Sequence, residues 1–194
     1  LLDRYRDDNR VGIVSGNNFL WGSQISDDSY FFTPDTRIWG WATWGRVWRE
    51  FSDQGLRHLW TKTEVQNLTR RIQSPIRRRA IRRIHAGSSL NSWALPFTLH
   101  CLDRGLLNAC PRTNLVTNLG FGTLSTHTAF ESFTADVPIS ALNFPLVHPN
   151  QVVAPARAGS LETLAHRRRW MTFPLVHPFD FLGRLLRYAR KKLS

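Results

Sequence analysis

The sequence predicts a mixed α/β domain, and three observations support this fold class. Val11–Ser15 is a short and largely apolar run, which is typical of a buried strand in a parallel sheet. Residues 29–33 and 106–110 are further short runs that predict strands. The segments 56–86 and 90–102 carry the spacing of helices. With 194 residues, of which 42% are hydrophobic, the chain is long enough to bury a core.

Gly16, Asn17 and Asn18 follow the first predicted strand directly. Open α/β sheets bind ligands at the carboxyl ends of their strands, so these residues are candidate ligand contacts. An ordinary turn is the alternative, because Gly and Asn are favoured in turns for backbone reasons alone.

Residues 38–48 hold four of the eight tryptophans, at Trp39, Trp41, Trp44 and Trp48. The spacing of the last three predicts a helix that begins near Ala42, with Trp39 and Gly40 in the turn before it. One interpretation is an aromatic floor for a sugar or a base. The other is a tryptophan-rich helix that packs inward.

The predicted helical segment 56–86 divides at Ser74, a candidate helix cap followed by proline. It is the most basic part of the chain, with arginines at Arg70, Arg71, Arg77, Arg78, Arg79, Arg82 and Arg83. No aromatic residue lies between Trp60 and Trp93, so the stacking groups of a single-strand nucleic-acid platform are missing. We therefore expect a solvated helix face.

The net charge of +12 comes almost wholly from arginine, because lysine occurs only at Lys62, Lys191 and Lys192. Nucleic acid, an anionic lipid surface and a phosphorylated substrate are candidate partners. Coding bias of the source genome is an equally good explanation. The two cysteines, Cys101 and Cys110, lack metal-site spacing and predict ordinary buried thiols in a reducing compartment.

The end of the chain predicts three pieces of different character. Two near-identical segments, 143–149 and 172–178, are bracketed by prolines and predict extended chain within a segment spanning 136–179. The residues between them, 150–169, are expected to be irregular. Residues 180–194 form a basic amphipathic helix, which is either a membrane-surface anchor or a docking helix. There is no apolar run of membrane-spanning length and no signal-peptide pattern.

Four motifs, at 11–19, 30–32, 38–44 and 114–128, follow one another in an order that resembles a known family. They are similar to bacterial nucleotide-diphospho-sugar transferases of the family 2-like, hemolysin-associated type. A more distant similarity is to the N-acetylglucosaminyltransferase I group. The resemblance covers roughly residues 1–150.

The resemblance implies the C-terminal portion of a GT-A fold, with residues 1–135 as its sugar- and acceptor-facing half. The chain begins with Leu, and residues 1–8 look like the end of a helix already under way. We therefore expect a fragment that is inactive alone, with the main carboxylate ligands of Mn²⁺ or Mg²⁺ in a part before Leu1. His127 is the one candidate metal ligand in this chain. From its residues alone, a structural hydrogen-bonding histidine is the alternative.

Seven residues are the substrate contacts that the resemblance implies: Gly16, Asn17, Asn18, Trp39, Gly40, Trp41 and Trp93. Trp44 and Trp48 are expected to pack the helix behind them. In related sequences an Asp follows the position of Trp93 and resembles the catalytic base, but this chain has Ala94 there. Alanine cannot accept a proton, so the catalytic base is unassigned. Asp27, Asp28 and Asp35 are candidate substitutes.

The expected function is transfer of a sugar from a nucleotide-diphospho-sugar to a saccharide or lipid-linked glycan in bacterial surface polysaccharide synthesis. We expect a cytoplasmic location with peripheral contact at the inner face of the membrane through residues 180–194. A non-catalytic module that binds a glycan or a partner is the second hypothesis. Nucleic-acid binding through the arginine-rich segment is the third and least favoured.

Overall fold

The computed structural model describes residues 1–87, 92–117 and 137–176, together with Pro178 and Leu182. In this part of the chain, four strands form one mixed sheet: β1 (Val11–Ser15), β2 (Tyr30–Thr33), β3 (Trp41–Thr43) and β4 (Leu107–Pro111). Their order across the sheet is β2-β4-β1-β3. The central strands β1 and β4 are parallel, while β2 and β3 are antiparallel to the strands they pair with. The predicted mixed α/β class is confirmed.

Five α-helices accompany the sheet in the described residues: α1 (Gly45–Glu50), α2 (Lys62–Leu68), α3 (Pro75–Ala86), α4 (Ala94–Asp103) and α5 (Ala158–Val176). A π-helical turn, Phe51–Gly55, continues α1, and a 3₁₀ turn, Thr69–Arg71, continues α2. Thr61 and Glu64 form a capping box at the start of α2. Ser74 caps α3 as the sequence predicts, and Pro75 occupies its first position.

The core is built where these helices meet the sheet. A cluster of buried side chains joins β1 to α1 and α4: Ile13, Val47, Phe51, Phe97 and Cys101. A second cluster joins α2, α3 and α4 through their aliphatic faces and includes Val65, Ile81 and Leu99. Cys101 and Cys110 are buried free thiols, and burial raises the pKa of each to about 12. Both therefore remain protonated at neutral pH, in agreement with the prediction of ordinary buried thiols.

Two predictions of local structure are wrong. The helix expected near Ala42 begins only at Gly45, because Trp41–Thr43 pairs with β1 as a strand. The irregular and extended chain expected after residue 150 is replaced from Ala158 to Val176 by α5. That helix packs Ala158 and Leu161 into the core and pairs Glu162 with Arg37, and these contacts outweigh the local preference of its proline-containing end.

The first of the two repeated segments, 143–149, lies outside helices and strands as predicted, and its Phe144–Pro145 peptide bond is cis. Most of the predicted C-terminal helix, 180–194, lies outside the described residues, and so does His127. Among the helices described, none is long and apolar enough to cross a membrane.

Candidate functional site

The candidate site lies at the carboxyl ends of the parallel pair β1 and β4. Because β3 runs antiparallel to β1, its first residue Trp41 pairs with Ser15 at this same edge. The loop after β1 and the loop after β4 meet there, since the Leu115 N–H donates to the Gly16 carbonyl oxygen at 2.8 Å. Six of the seven predicted contact residues, Gly16, Asn17, Asn18, Trp39, Gly40 and Trp41, are thus brought to one edge of the sheet.

Gly16 and Gly40 allow three backbone segments to approach one another. A Cβ at Gly16 would lie 2.9 Å from the Gly40 carbonyl oxygen and 2.9 Å from Cγ1 of Val116. Gly40 has φ +54°, in the left-handed region, and a Cβ there would lie 2.5 Å from the same methyl group. The space beside these two glycines is therefore occupied by protein atoms.

Asn17 and Asn18 use their side chains within the protein. Asn18 Nδ2 donates to the carbonyl oxygens of Pro111 at 2.6 Å and Arg112 at 2.9 Å, and its Oδ1 accepts from the Leu20 N–H at 2.6 Å. Asn17 Oδ1 accepts from the Trp39 N–H at 3.3 Å. Both residues are buried. These bonds stabilise the edge of the sheet.

The seventh predicted residue, Trp93, reaches the edge by stacking on Trp41. The ring centroids are 5.3 Å apart and the rings are inclined by 28°. Trp48 contacts both rings, with centroids 6.1 Å from Trp41 and 5.8 Å from Trp93. We call these three residues the tryptophan platform. Trp48 and Trp93 are 40% and 39% exposed, so the platform presents aromatic surface to solvent.

Two buried phenylalanines support the platform from below. The Phe97 ring lies 5.3 Å from Trp41 and 5.9 Å from Trp93, and the Phe51 ring lies 5.4 Å from Trp48. Both phenylalanines are at most 1% exposed. Rings held on one side by such packing keep their orientation without a ligand. Trp48 therefore packs against buried Phe51 and also exposes part of its ring to solvent.

Trp39 has different surroundings from the platform. Its ring meets Phe19 edge to face at 5.2 Å, and the Arg37 guanidinium lies 5.2 Å from the centroid of Phe19 on that ring's face. Trp44 is also separate, because its indole N–H donates to the Leu2 carbonyl oxygen at 3.1 Å and Arg46 covers its ring. The four clustered tryptophans thus divide among three environments.

Ala94 is the first residue of α4 and follows Trp93 of the platform. Among the candidate substitute carboxylates, Asp35 is buried and receives two bonds from Arg77, at 2.9 and 3.1 Å. Burial tends to raise the pKa of Asp35, but the Arg77 and Arg37 guanidinium groups outweigh it and hold that pKa below its usual value. Asp35 is therefore a structural anion and a poor general base. Within the described residues, the side chains of Asp27 and Asp28 make no hydrogen bond or ion pair.

A buried charge cluster surrounds Asp35, and the sequence did not reveal it. Arg37 Nη2 lies 3.1 Å from Glu162 Oε1 and 3.6 Å from Asp35 Oδ2. Burial raises the pKa of Glu162 despite the opposing effect of Arg37. Burial, with Arg77 and Arg37 nearby, lowers the pKa of His166 to about 4. Arg77 belongs by sequence to the arginines of the expected solvated face, but its side chain turns inward and binds Asp35.

The described residues offer no group of three or more His, Cys, Asp and Glu side chains that could hold a metal ion. His127, the predicted ligand, lies outside them. The Mn²⁺ or Mg²⁺ that the resemblance implies therefore has no ligand set in this part of the chain.

Comparison with known proteins adds no assignment: no protein-family model, no curated protein and no solved structure matches the chain.

Proposed function

We propose that the chain is the sugar- and acceptor-facing part of a GT-A-type glycosyltransferase that uses a nucleotide-diphospho-sugar donor. The observation that supports this best is the tryptophan platform. Its stacked rings lie beside the carboxyl edge of a parallel strand pair, which is where α/β sheets bind ligands. The order of the sequence motifs is the second support.

The platform suits a sugar ring for a physical reason. A pyranose has an apolar C–H face and a polar rim, and an exposed indole can cover the first while leaving the second hydrated. The rigid backing by Phe97 and Phe51 reduces the entropy lost when a ligand binds. Binding of this kind requires no metal ion.

A second candidate function is glycan binding without catalysis, and Ala94 favours it. Loss of a general base typically lowers a rate by about 10²–10⁴-fold. Asp35, one of the candidate substitutes, is held by two arginines. The two functions share the sugar-binding step and differ in turnover.

The shared step is tested by titrating the 194-residue chain with UDP-N-acetylglucosamine, UDP-glucose and methyl glycosides, using tryptophan fluorescence and ligand-observed NMR. We expect Trp93→Ala to weaken binding about ten-fold, because half of the stacked surface is removed. Trp44→Ala is the matched control, since Trp44 lies outside the platform and should leave affinity unchanged. Absence of binding by the wild-type chain, or equal binding by Trp93→Ala, would exclude a role of the platform in sugar recognition.

A further inference from the structure

A cationic groove runs along α3. It has a volume of about 440 Å³ and is lined by Pro75, Arg78, Arg79, Arg82, Arg83 and Ala86. The surrounding sequence is unusual in charge, because seven arginines and no acidic residue lie between Glu64 and Asp103. No acidic residue in this stretch of sequence is therefore available to neutralise the arginines of the groove.

The structure orients two of these arginines without neutralising them. Arg82 donates from Nε to Thr69 Oγ1 at 2.7 Å and from Nη2 to the Gln66 carbonyl oxygen at 3.0 Å. Arg78 donates from Nη2 to the Gln73 carbonyl oxygen at 3.3 Å. All three acceptors are uncharged. Each guanidinium is thus held in place with its full positive charge.

The other two arginines of the groove, Arg79 and Arg83, are exposed. Within the described residues, neither they nor Arg78 and Arg82 form an ion pair, whereas Arg77 on the same helix binds buried Asp35. Arg77 and Arg82 therefore hold α3 to the protein, while Arg79 and Arg83 present their charge to solvent.

Exposed aliphatic side chains lie beside the last turn of α3. His85 Nε2 lies 2.8 Å from the Trp60 carbonyl oxygen, which fixes the preceding loop against that turn. The loop carries Leu59, which is 90% exposed, and Leu56, which is 50% exposed. Ile84, next to His85, is 54% exposed but points away from the groove, because it is at least about 100° around α3 from each arginine that lines it. The leucines of the preceding loop are therefore the apolar surface held beside this helix.

We propose that α3 and the loop 56–60 form a docking face for an anionic lipid bilayer. Guanidinium groups bind phosphate oxygens of headgroups, and the exposed leucine side chains of the loop can enter the boundary of the acyl chains. A nucleic acid fits the same charge less well. It would leave these aliphatic side chains in water, and the segment between Trp60 and Trp93 offers no aromatic ring for a base. This face is independent of sugar binding at the platform.

The test is co-sedimentation of the 194-residue chain with phosphatidylcholine vesicles and with mixed phosphatidylcholine–phosphatidylglycerol vesicles. We expect binding to the anionic vesicles that weakens as salt is added. Arg79→Gln/Arg83→Gln should weaken this binding on the order of 30-fold, since two charges near the surface are lost. Arg49→Gln/Arg157→Gln removes the same charge from exposed positions elsewhere and should change binding less than about two-fold.

Leu59→Asn tests the apolar part of the face. It should weaken binding at high salt, where electrostatic attraction is screened, and leave the salt dependence unchanged. Undiminished vesicle binding by Arg79→Gln/Arg83→Gln, or an equal loss in the control pair, would overturn the proposal in favour of nonspecific charge. Tighter binding to duplex DNA than to anionic vesicles would overturn it in favour of a nucleic-acid partner. Thermal unfolding at the same midpoint temperature as the wild-type chain confirms that each variant is folded.

Discussion

The Arg37 guanidinium lies 3.1 Å from the Glu162 carboxylate, and both side chains are nearly fully buried. The first residue precedes β3 and the second lies on α5, so the pair ties the last described helix to the sheet. Asp35 and Arg77 extend the pair into a cluster that also reaches α3. Three separate parts of the chain therefore depend on one set of buried charges.

Replacing Glu162 by Gln should destabilise the fold strongly. It removes the closest anion of a buried guanidinium, and an unpaired buried charge typically costs about 3–5 kcal/mol. Urea denaturation measures the change in the free energy of unfolding. Glu50→Gln is the control, because Glu50 and its partner Arg104 form a more exposed pair worth at most about 1 kcal/mol. Equal effects of the two substitutions would show that the buried cluster contributes no special stability.

His166 predicts a loss of stability on mild acidification. Its pKa in the folded protein is lowered to about 4 from an ordinary value of 6.5, so between these values the unfolded chain binds more protons. Stability should therefore fall as pH falls through this window, by up to about 1.4 kcal/mol per pH unit from this group. The raised pKa of Glu162 acts in the opposite direction above pH 4.5. Comparing urea unfolding of wild type and His166→Gln at several pH values isolates the histidine, and identical profiles would contradict its role.

Three glycines, of which Gly40 lies at the site, give a graded test of backbone strain. Gly40→Ala should cost about 2–4 kcal/mol, because it combines a left-handed φ with a clash against Val116. Gly22→Ala should cost about 1 kcal/mol, because Gly22 has φ +85° but open space around it. Gly87→Ala should be near neutral, since its φ is −99°. Thermal or urea unfolding measures all three, and a neutral Gly40→Ala would refute the close approach at the edge.

Ala94→Asp distinguishes an impaired transferase from a binding module. A carboxylate at the first position of α4 is favoured by the helix dipole, so the substitution should leave the fold intact. If the chain retains the rest of a transferase site, release of UDP from UDP-sugars should rise by roughly 10²-fold or more. Ala94→Asn, which has similar size but cannot act as a base, is the matched control. A rise in UDP release by Ala94→Asp but not by Ala94→Asn would favour the impaired transferase.

The sequence was informative where one local pattern determines the structure. The apolar run Val11–Ser15 forms the predicted central strand, and Ser74 with its following proline starts a helix as predicted. Both features needed only neighbouring residues. The convergence of Gly16–Asn18 with the tryptophan turn depends instead on the pairing of β3 with β1, which the spacing of the tryptophans did not predict.

Structure that depends on distant partners was not predictable in the same way. Helical spacing placed Trp41 on a helix, but pairing with Ser15 makes it part of a strand. The arginines of α3 looked equivalent, yet Arg77 alone finds Asp35. The spacing of residues within α3 contains no information about a carboxylate on another part of the chain. The first repeated segment lies outside helices and strands, whereas residues 172–176 of the second continue α5, so the same local sequence takes two structures.

The position of β3 has a consequence for dynamics. It is three residues long, lies at one end of the described sheet, and carries Trp41 of the platform. Short terminal strands open at low free energy, so the backbone amides of this strand should exchange with deuterium faster than those of central β1. A ligand that bridges Trp41 and Trp93 would close that opening. The occupancy of the platform should thus be readable as slowed amide exchange at Ala42 and Thr43, beyond the one residue of β3 that the ligand contacts.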